Sequence, residues 1–507
     1  ESTPRAKSRI HHARHLLYYA YRRFDESRSV EGPDAFQCSN IEELLEGCTT
    51  LRVSFDRNGK FSDATHAKLS SYQLDVALCF GVWNLNGPLL RIAKYGVWRH
   101  RHGDALVNDA DSAGMWEIVE RTPVTSSALE IRQATKDLGA IIYLSFAATS
   151  RSSLKASRNS YFWKSTGFAI RKLRDLYDEG TAALAPVSLE AAGMRYRQRR
   201  EDAPTNLRMA RFLSASGLRS IGRRVERTFL FDPWILGYHM ERGRSSPADV
   251  DHHFHKMFPP IDRFWADPFP IKKGDRYYIF IEEYPYKDGK GFLSVIEMEE
   301  SGNWTAPQPI LKAPNHLSYP FVFEWRGEYY MTPESSESGQ VVLYRSRSFP
   351  FDWQLESVLL SDSQAVDPTL HWIENRWWMF VNIAVEGARF TDELHLFYAD
   401  RPHGPWTPHP RNPVKSDVRS ARPAGRLFEH DRVLYRPAQD SSVQPGHAIS
   451  LNIVERISTT EYVERETSKI LPRRGKRITS IHTLNHVEGL TLIDCRYRMW
   501  KRGYRVE

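Results

Sequence analysis

The stretch Phe264-Trp265-Ala266-Asp267-Pro268-Phe269-Pro270 opens a pattern that the second half of the chain repeats. A polar residue and a proline start one strand, a polar turn follows, and an aromatic strand then ends in acids. In this first unit the aromatic strand is Tyr277-Tyr278-Ile279-Phe280-Ile281, closing on Glu282-Glu283. Ser318-Tyr319-Pro320 leads through Gly327 and Tyr329-Tyr330-Met331 to Pro333-Glu334, and Val366-Asp367-Pro368 leads through Asn375 and Trp377-Trp378-Met379-Phe380 to Asn382. Arg422-Pro423 leads through Asp431 and Val433-Leu434-Tyr435 to Gln439-Asp440. A fifth, weaker unit runs from Ser480-Ile481-His482 through Gly489 to Asp494. The unit starts lie roughly fifty residues apart, the length of a four-stranded propeller blade. Residues 230–507 are therefore expected to form an all-β five-bladed propeller, closed by the strand Phe231–Tyr238. Any single Asp-Pro step also reads as an ordinary strand-start proline. Five in register are better explained by blades whose polar tips share one axis.

The 507 residues, 41% hydrophobic and 26% charged, suit a globular protein of two or three domains. Cys38, Cys48, Cys79 and Cys495 have no metal-ligand spacing, and no metal site is expected. The net charge of +8 is partly local: ten arginines lie between Arg195 and Arg227, against Glu201, Asp202 and Glu226. Within this segment, residues 205–228 read as a basic amphipathic helix. Either it braces neighbouring domains or it meets an anionic membrane surface. It lacks the aromatic interleaving of a nucleic-acid platform, so no nucleic-acid partner is expected. With no apolar run long enough to span a bilayer, the expected location is cytoplasmic, peripheral to a membrane at most.

Upstream, strand and helix patterns alternate. Strands are expected at Leu51–Phe55, Asp75–Gly81 and Asp137–Tyr143, and an amphipathic helix at 153–177. That order predicts a Rossmann-type α/β domain with a parallel sheet over 1–180, followed by a basic linker and helix over 181–229.

Two resemblances add to this reading. The order of elements in residues 50–180, with Gly96, His102, Gly103, Asp104 and the Asp137-x-Gly139 turn, resembles the formyltransferase fold. In that family an Asn, a His and an Asp position formyl-tetrahydrofolate and shuttle a proton. Here Arg99 and Arg101 stand at the Asn and His positions, and a guanidinium stays protonated. The resemblance thus implies a degenerate domain, with His102, Asp104 and Asp137 as its remaining candidates. The run Ala266–Phe269, Glu282-Glu283, His316–Pro320, Pro333-Glu334 and Arg436–Asp440 resembles the N-terminal propeller of glucosamine inositolphosphorylceramide transferases, and of bacterial proteins that join it to a formyltransferase-like domain. More distantly, it is similar to glycoside hydrolase family 43 furanosidases.

Glycosyl chemistry needs one protonated and one ionised acid about the anomeric carbon. Asp267 stands where five-bladed furanosidases place a base or nucleophile. Glu334 or Glu282 is the candidate acid, and Asp367 is the candidate holder of sugar hydroxyls. Glu283, Lys290, Tyr319, Arg422, Asp440, His482 and Trp265 are candidates for substrate binding: carboxylates for hydroxyls, cations for a phosphate or uronate, rings for sugar faces. No cofactor is firmly implied; a nucleotide-sugar donor and an ion on the axis, near His482, stay open. The expected function is a carbohydrate-active enzyme, by glycosyl transfer or hydrolysis, on a surface polysaccharide or glycolipid. A non-catalytic glycan-binding propeller and a sugar-amine N-formyltransferase are the alternatives.

Overall fold

The computed structural model describes residues 13–30, 32–37, 40–51, 62–80, 87–103, 113–133, 139–189, 203–240, 254–384, 387–472 and 477–501. The chain divides into two compact units, Glu1–Ser216 with Val385–Ala388, and Gly217–Ala384 with Arg389–Glu507. The division falls inside the helix Asn206–Phe229, which matches the basic helix expected at 205–228.

The first unit holds a four-stranded sheet in chain order: Ala77–Cys79, Val97–His102, Val124–Arg132 and Ala140–Ala148. Only the first pair is parallel; the second and third are antiparallel. The expected parallel, Rossmann-type layer is therefore corrected. Residues 133–139 are too few to carry a crossover, which needs a dozen or more, so the last two strands must form a hairpin. The helix Leu154–Glu179 packs Phe168 and Ala169 on Trp98, Leu129 and Ile142 of this sheet. Its start is capped by Ser153, whose hydroxyl accepts from Ala156 N at 3.0 Å. A second core gathers Tyr18, Met115, Ile118, Leu154, Met209 and Phe212. The strand expected at Leu51–Phe55 lies almost wholly outside the described residues.

Among its described residues the second unit is all-β apart from the end of the basic helix and the short 3-10 turn Ser336–Ser338. It contains five antiparallel sheets of four or five strands, which begin at Arg263, Ser318, Ala365, Phe428 and Ile478. Trp234–Met240 pairs with Leu490–Arg496, so the unit's early strands complete its last sheet. Apolar cores fill each gap between neighbours. Phe269, Phe321 and Leu370 share a core across the first three sheets; Phe380 and Leu427 join the third to the fourth. Ile449 and Ile481 join the fourth to the fifth, and Leu492 with Ile279 closes the fifth onto the first. The sheets thus form a ring.

Local chemistry repeats with the sheets. The turns Arg326-Gly327, Glu374-Asn375 and Asp431-Arg432 are two-residue connections with both residues at positive φ, the hairpin geometry that suits the right-handed strand twist. Gly327 meets that demand without a Cβ. The residues before the first-strand prolines adopt the same left-handed conformation: Asp267 at φ 51°, Tyr319 at 46° and Asp367 at 55°. Each lies in a break of register between its first two strands. A non-glycine residue pays roughly 1–3 kcal/mol for such backbone, so the surrounding contacts must hold it there.

Candidate functional site

Hydrogen bonds run from sheet to sheet through these three bulges. Asp267 Oδ2 accepts from Tyr319 N at 3.1 Å, linking the first and second sheets. The Tyr319 hydroxyl lies 2.8 Å from Thr369 Oγ1 of the third sheet and accepts from Gly425 N at 2.8 Å. Arg422 donates to both oxygens of Asp367, at 2.6 and 3.2 Å, and Gln439 Nε2 donates to Asp367 Oδ2 at 3.0 Å. Asp494, fully buried, closes the circle. It accepts from Asp267 N (2.9 Å), His482 N (3.2 Å), Thr483 N (2.7 Å) and His482 Nδ1 (2.9 Å).

The charges in this cluster hold one another in defined states. Burial pushes the Asp267 carboxyl up to about 7; the His482 charge opposes the rise, while Asp494 and Asp367 add to it. Burial raises Glu282 well above the usual carboxylate range, reinforced by the charges of Asp267, Glu334, Asp494 and Asp367. Glu334 goes the other way. Burial works against its charge, but hydrogen bonds from the Ser318 hydroxyl (2.6 Å) and Ser336 N (3.0 Å) outweigh it and hold the carboxyl below its ordinary value. His482 is raised to about 9, because Asp494 and Asp267 (3.3 Å from Nδ1) overcome the cost of burying its cation. Arg422 stays charged: burial weakens the cation, but its pairing with Asp367 prevails.

Asp267, His482 and Asp494 also form a cluster whose donor atoms lie within 4.8 Å of one another, the only such group among the described residues. Their chemistry fits an axial ion poorly. Four donors already meet the Asp494 carboxylate, and a protonated His482 supplies the positive charge that a cation would bring.

Asp267, Glu282, Glu334, Asp367, Arg422 and His482 lie together in one cluster. Other candidates are placed elsewhere. Trp265 is 3% exposed and stands edge-on to Trp304 at 6.1 Å in the core between the fifth and first sheets, so it offers no sugar platform. Tyr319 is fully buried, with its hydroxyl taken up within the ring. Glu283 is paired with Arg263 (2.7 Å) and Ser294 (2.7 Å), and Asp440 with Lys469 (2.6 Å) and Ser442 N (3.0 Å). Lys290 is exposed and donates to the Pro314 carbonyl at 2.5 Å. In the first unit, His102 lies on a strand, 4.9 Å from the Tyr161 ring, and burial pulls its proton affinity down to about 3. A neutral, ring-packed imidazole there is a core residue. Asp104 and Asp137 lie outside the described residues.

Three participants escaped the sequence reading: Asp494 and Gln439 as acceptor and donor at the hub, and His316, 3.5 Å from Glu282. Asp494 ends the second strand of its unit just as Glu282 and Glu334 do, and that register was the available signal.

Residues 255–487 match the family model described as glucosamine inositolphosphorylceramide transferase 1, N-terminal. Among curated proteins, glucosamine inositolphosphorylceramide transferase 1 of Arabidopsis thaliana is 38% identical over 219 residues, 42% of this chain and 28% of the relative. Its counterpart in Oryza sativa subsp. japonica is 36% identical over 205 residues, 40% of this chain and 27% of the relative. The chain thus spans little more than a quarter of the curated relatives it matches. Solved structures with some likeness include a family 117 glycoside hydrolase of Zobellia galactanivorans (12% identity, 52% of this chain and 90% of that one, TM-score 0.35). Another is the Bacillus subtilis arabinanase Arb43A (15% identity, 46% and 93%, TM-score 0.34). Both scores are too low to bear on fold or chemistry. The expected cytoplasmic location is corrected by the relatives, which are transferases named for a lipid, inositolphosphorylceramide. These relatives are plant proteins, and neither the bacterial setting nor the formyltransferase resemblance gains support from them.

Proposed function

We propose that the second unit is a five-bladed propeller with a glycan site on its axis, and that the protein is a carbohydrate-active enzyme working on the sugar of a glycolipid. One observation carries this reading. Two buried carboxyls in electrostatic contact are driven to opposite states, Glu282 towards the protonated form and Glu334 towards the ionised one. An acid and a base set apart by their surroundings are what cleavage or transfer at an anomeric carbon requires. In this scheme Glu282 donates the proton to the leaving oxygen. Glu334, held ionised by the Ser318 hydroxyl and Ser336 N–H, is the base or nucleophile, and Asp267, raised to about 7, adds its charge beside Glu282. Arg422 with Asp367 holds sugar hydroxyls, and the His482 cation keeps Asp267 from being neutralised outright. The similarity of residues 255–487 to the transferase family supports a glycolipid as the substrate class.

The membrane lipid would be met through the basic helix. Its outer face exposes Leu218 (71%), Ile221 (63%), Val225 and Phe229 at helical spacing, flanked by Arg219, Arg223, Arg224 and Arg227. No described helix is long and apolar enough to cross a bilayer.

A panel of aryl glycosides graded by leaving-group acidity tests the role of Glu282. Glu282→Gln is expected to lose 100-fold or more in kcat on poor leaving groups and little on the best, since a good leaving group needs no proton. Equal turnover of variant and wild type across the panel would remove Glu282 as the acid. A second reading, a non-catalytic glycan-binding propeller, is favoured by one feature: Arg422 and Gln439 occupy both oxygens of Asp367. Binding of glycan without turnover by the wild type would select it.

A further inference from the structure

Beside the acidic cluster lies a cavity of about 560 Å³, lined wholly by residues of the second unit. Five cations line it, Arg223, Arg227, Arg496, Arg498 and Lys501, against two carboxylates, Glu226 and Asp232. Arg498 is tied to Asp232 by hydrogen bonds of 3.1 and 3.0 Å and lies 3.9 Å from Glu226, which accounts for both acids. Among the described residues, the remaining cations have no acidic partner in the cavity. Arg223 donates to the Ser220 hydroxyl at 3.3 Å, and Lys501 donates to the Arg227 carbonyl at 2.6 Å. Arg496 lies over the Trp234 ring at 5.6 Å, with a buried Nε that has no hydrogen-bond partner. A half-buried guanidinium with an unmatched N–H is a costly arrangement unless an acceptor arrives to meet it.

The cavity adjoins the acidic cluster through shared walls. Trp234, a lining residue, lies 4.9 Å from the His482 ring and is tilted 39° to it. On another side Phe264, also a lining residue, lies parallel to Tyr284 at 4.7 Å. The Tyr284 ring is 5.9 Å from His316, the neighbour of Glu282. Rings therefore bridge a cationic basin and the acids, and rings are surfaces on which the C–H face of a sugar rests.

We infer that this basin is an anion subsite that takes the phosphoryl group of a sugar phosphate ester, while the attached sugar lies across Trp234 and Phe264 towards Glu282 and Asp267. Guanidinium groups in excess suit a phosphate, whose oxygens accept paired N–H donors. The assignment rests on the glycan reading above and specifies its substrate: a sugar borne on phosphate rather than a neutral oligosaccharide.

Calorimetry on the full chain tests it with four probes: inorganic phosphate, glucose 1-phosphate, methyl α-glucoside, and vesicles of phosphatidylcholine with or without phosphatidylinositol. Glucose 1-phosphate is expected to bind at least tenfold tighter than methyl α-glucoside. Arg227→Ser with Arg496→Gln should abolish that gain and leave the weak binding of methyl α-glucoside unchanged. Arg496→Lys, which keeps the charge, should restore much of the gain when Arg227 is intact and shows that the fold tolerates change at 496. Affinity for phosphatidylinositol vesicles that the double variant loses assigns the phosphate to a lipid headgroup; affinity for glucose 1-phosphate alone assigns it to a soluble sugar phosphate. No advantage of glucose 1-phosphate over methyl α-glucoside, or a double variant that keeps the advantage, overturns the subsite. Failure of the glycan reading looks different: phosphate still binds, Arg496→Gln still weakens it, and methyl α-glucoside does not bind at all.

Discussion

Replacing Asp494 by Asn is expected to destabilise the second unit by an amount that depends on pH, and the dependence follows from the hydrogen bonds. The Asp494 carboxylate accepts four donors, one of them the His482 imidazole. An amide can accept on one side only and presents N–H groups to the other donors. His482 also loses its chief counter-charge, so its proton affinity should fall from about 9 to or below its ordinary value of 6.5. A histidine raised in the folded state contributes stability that is fully present below the unfolded value and is lost as pH rises through the folded one. For His482 the window is pH 6.5 to 9. At about 1.4 kcal/mol per unit, the contribution removed is about 3 kcal/mol at pH 6 and close to zero at pH 10. The unmet buried donors cost roughly 1–3 kcal/mol at every pH. Urea unfolding of the full chain, followed by tryptophan fluorescence at pH 6, 8 and 10, separates the two contributions. The gap between wild type and Asp494→Asn should be widest at pH 6 and shrink by about 3 kcal/mol at pH 10. An equal gap at both ends would mean that Asp494 does not hold a protonated His482, and the charge assignment of the cluster would fall with it.

Further tests bear on other parts of the molecule. Glu464 accepts from buried Arg436 at 2.6 and 2.7 Å and from Lys415; Glu464→Gln leaves two cations without their acid and should lower stability by roughly 3–5 kcal/mol, read as a fall in the urea midpoint. Tyr319→Phe leaves Gly425 N–H unmet and should cost roughly 1–3 kcal/mol while leaving sugar affinity unchanged, since the hydroxyl faces the ring and not a ligand; a selective loss of affinity would contradict that placement. Leu218→Ser with Ile221→Ser, on the exposed face of the basic helix, should reduce binding to anionic vesicles at least tenfold in a co-sedimentation assay and leave the urea midpoint in place.

What the sequence disclosed follows from how locally each feature is encoded. Five recurrences of a polar-proline step, a two-residue turn and an aromatic strand were enough to announce five sheets, because each unit carries its own strand signals and turn chemistry. The Asp-Pro steps at 267 and 367 were legible as strand starts for the same reason. Their left-handed backbone was not: nothing in the letters Asp-Pro distinguishes it from an extended strand start. The same blindness put Tyr319 and Trp265 among the sugar contacts. Rings that end strands look alike whether they face a channel or the gap between two sheets, and only tertiary packing decides. In the first unit the strand Val124–Arg132 went unread, and with it the hairpin that makes the sheet mostly antiparallel.

The gathering of the acids explains why a protein would tolerate strain at three equivalent points of its ring. A carboxylate buried alone would simply take up a proton. Here three of the clustered acids are met by donors: Asp367 by Arg422, Glu334 by the Ser318 hydroxyl and Ser336 N–H, and Asp494 by His482. Only Glu282 and Asp267 are left with raised proton affinity, Glu282 beside His316 and Asp267 in contact with the His482 cation. The left-handed bulges at 267 and 367 bring these carboxylates into the hydrogen-bond circuit, and the circuit in turn holds the bulges. Strain and charge are therefore one device. Relieving either, by removing the proline after Asp267 or the guanidinium opposite Asp367, should disturb the protonation of Glu282 without any direct contact to it.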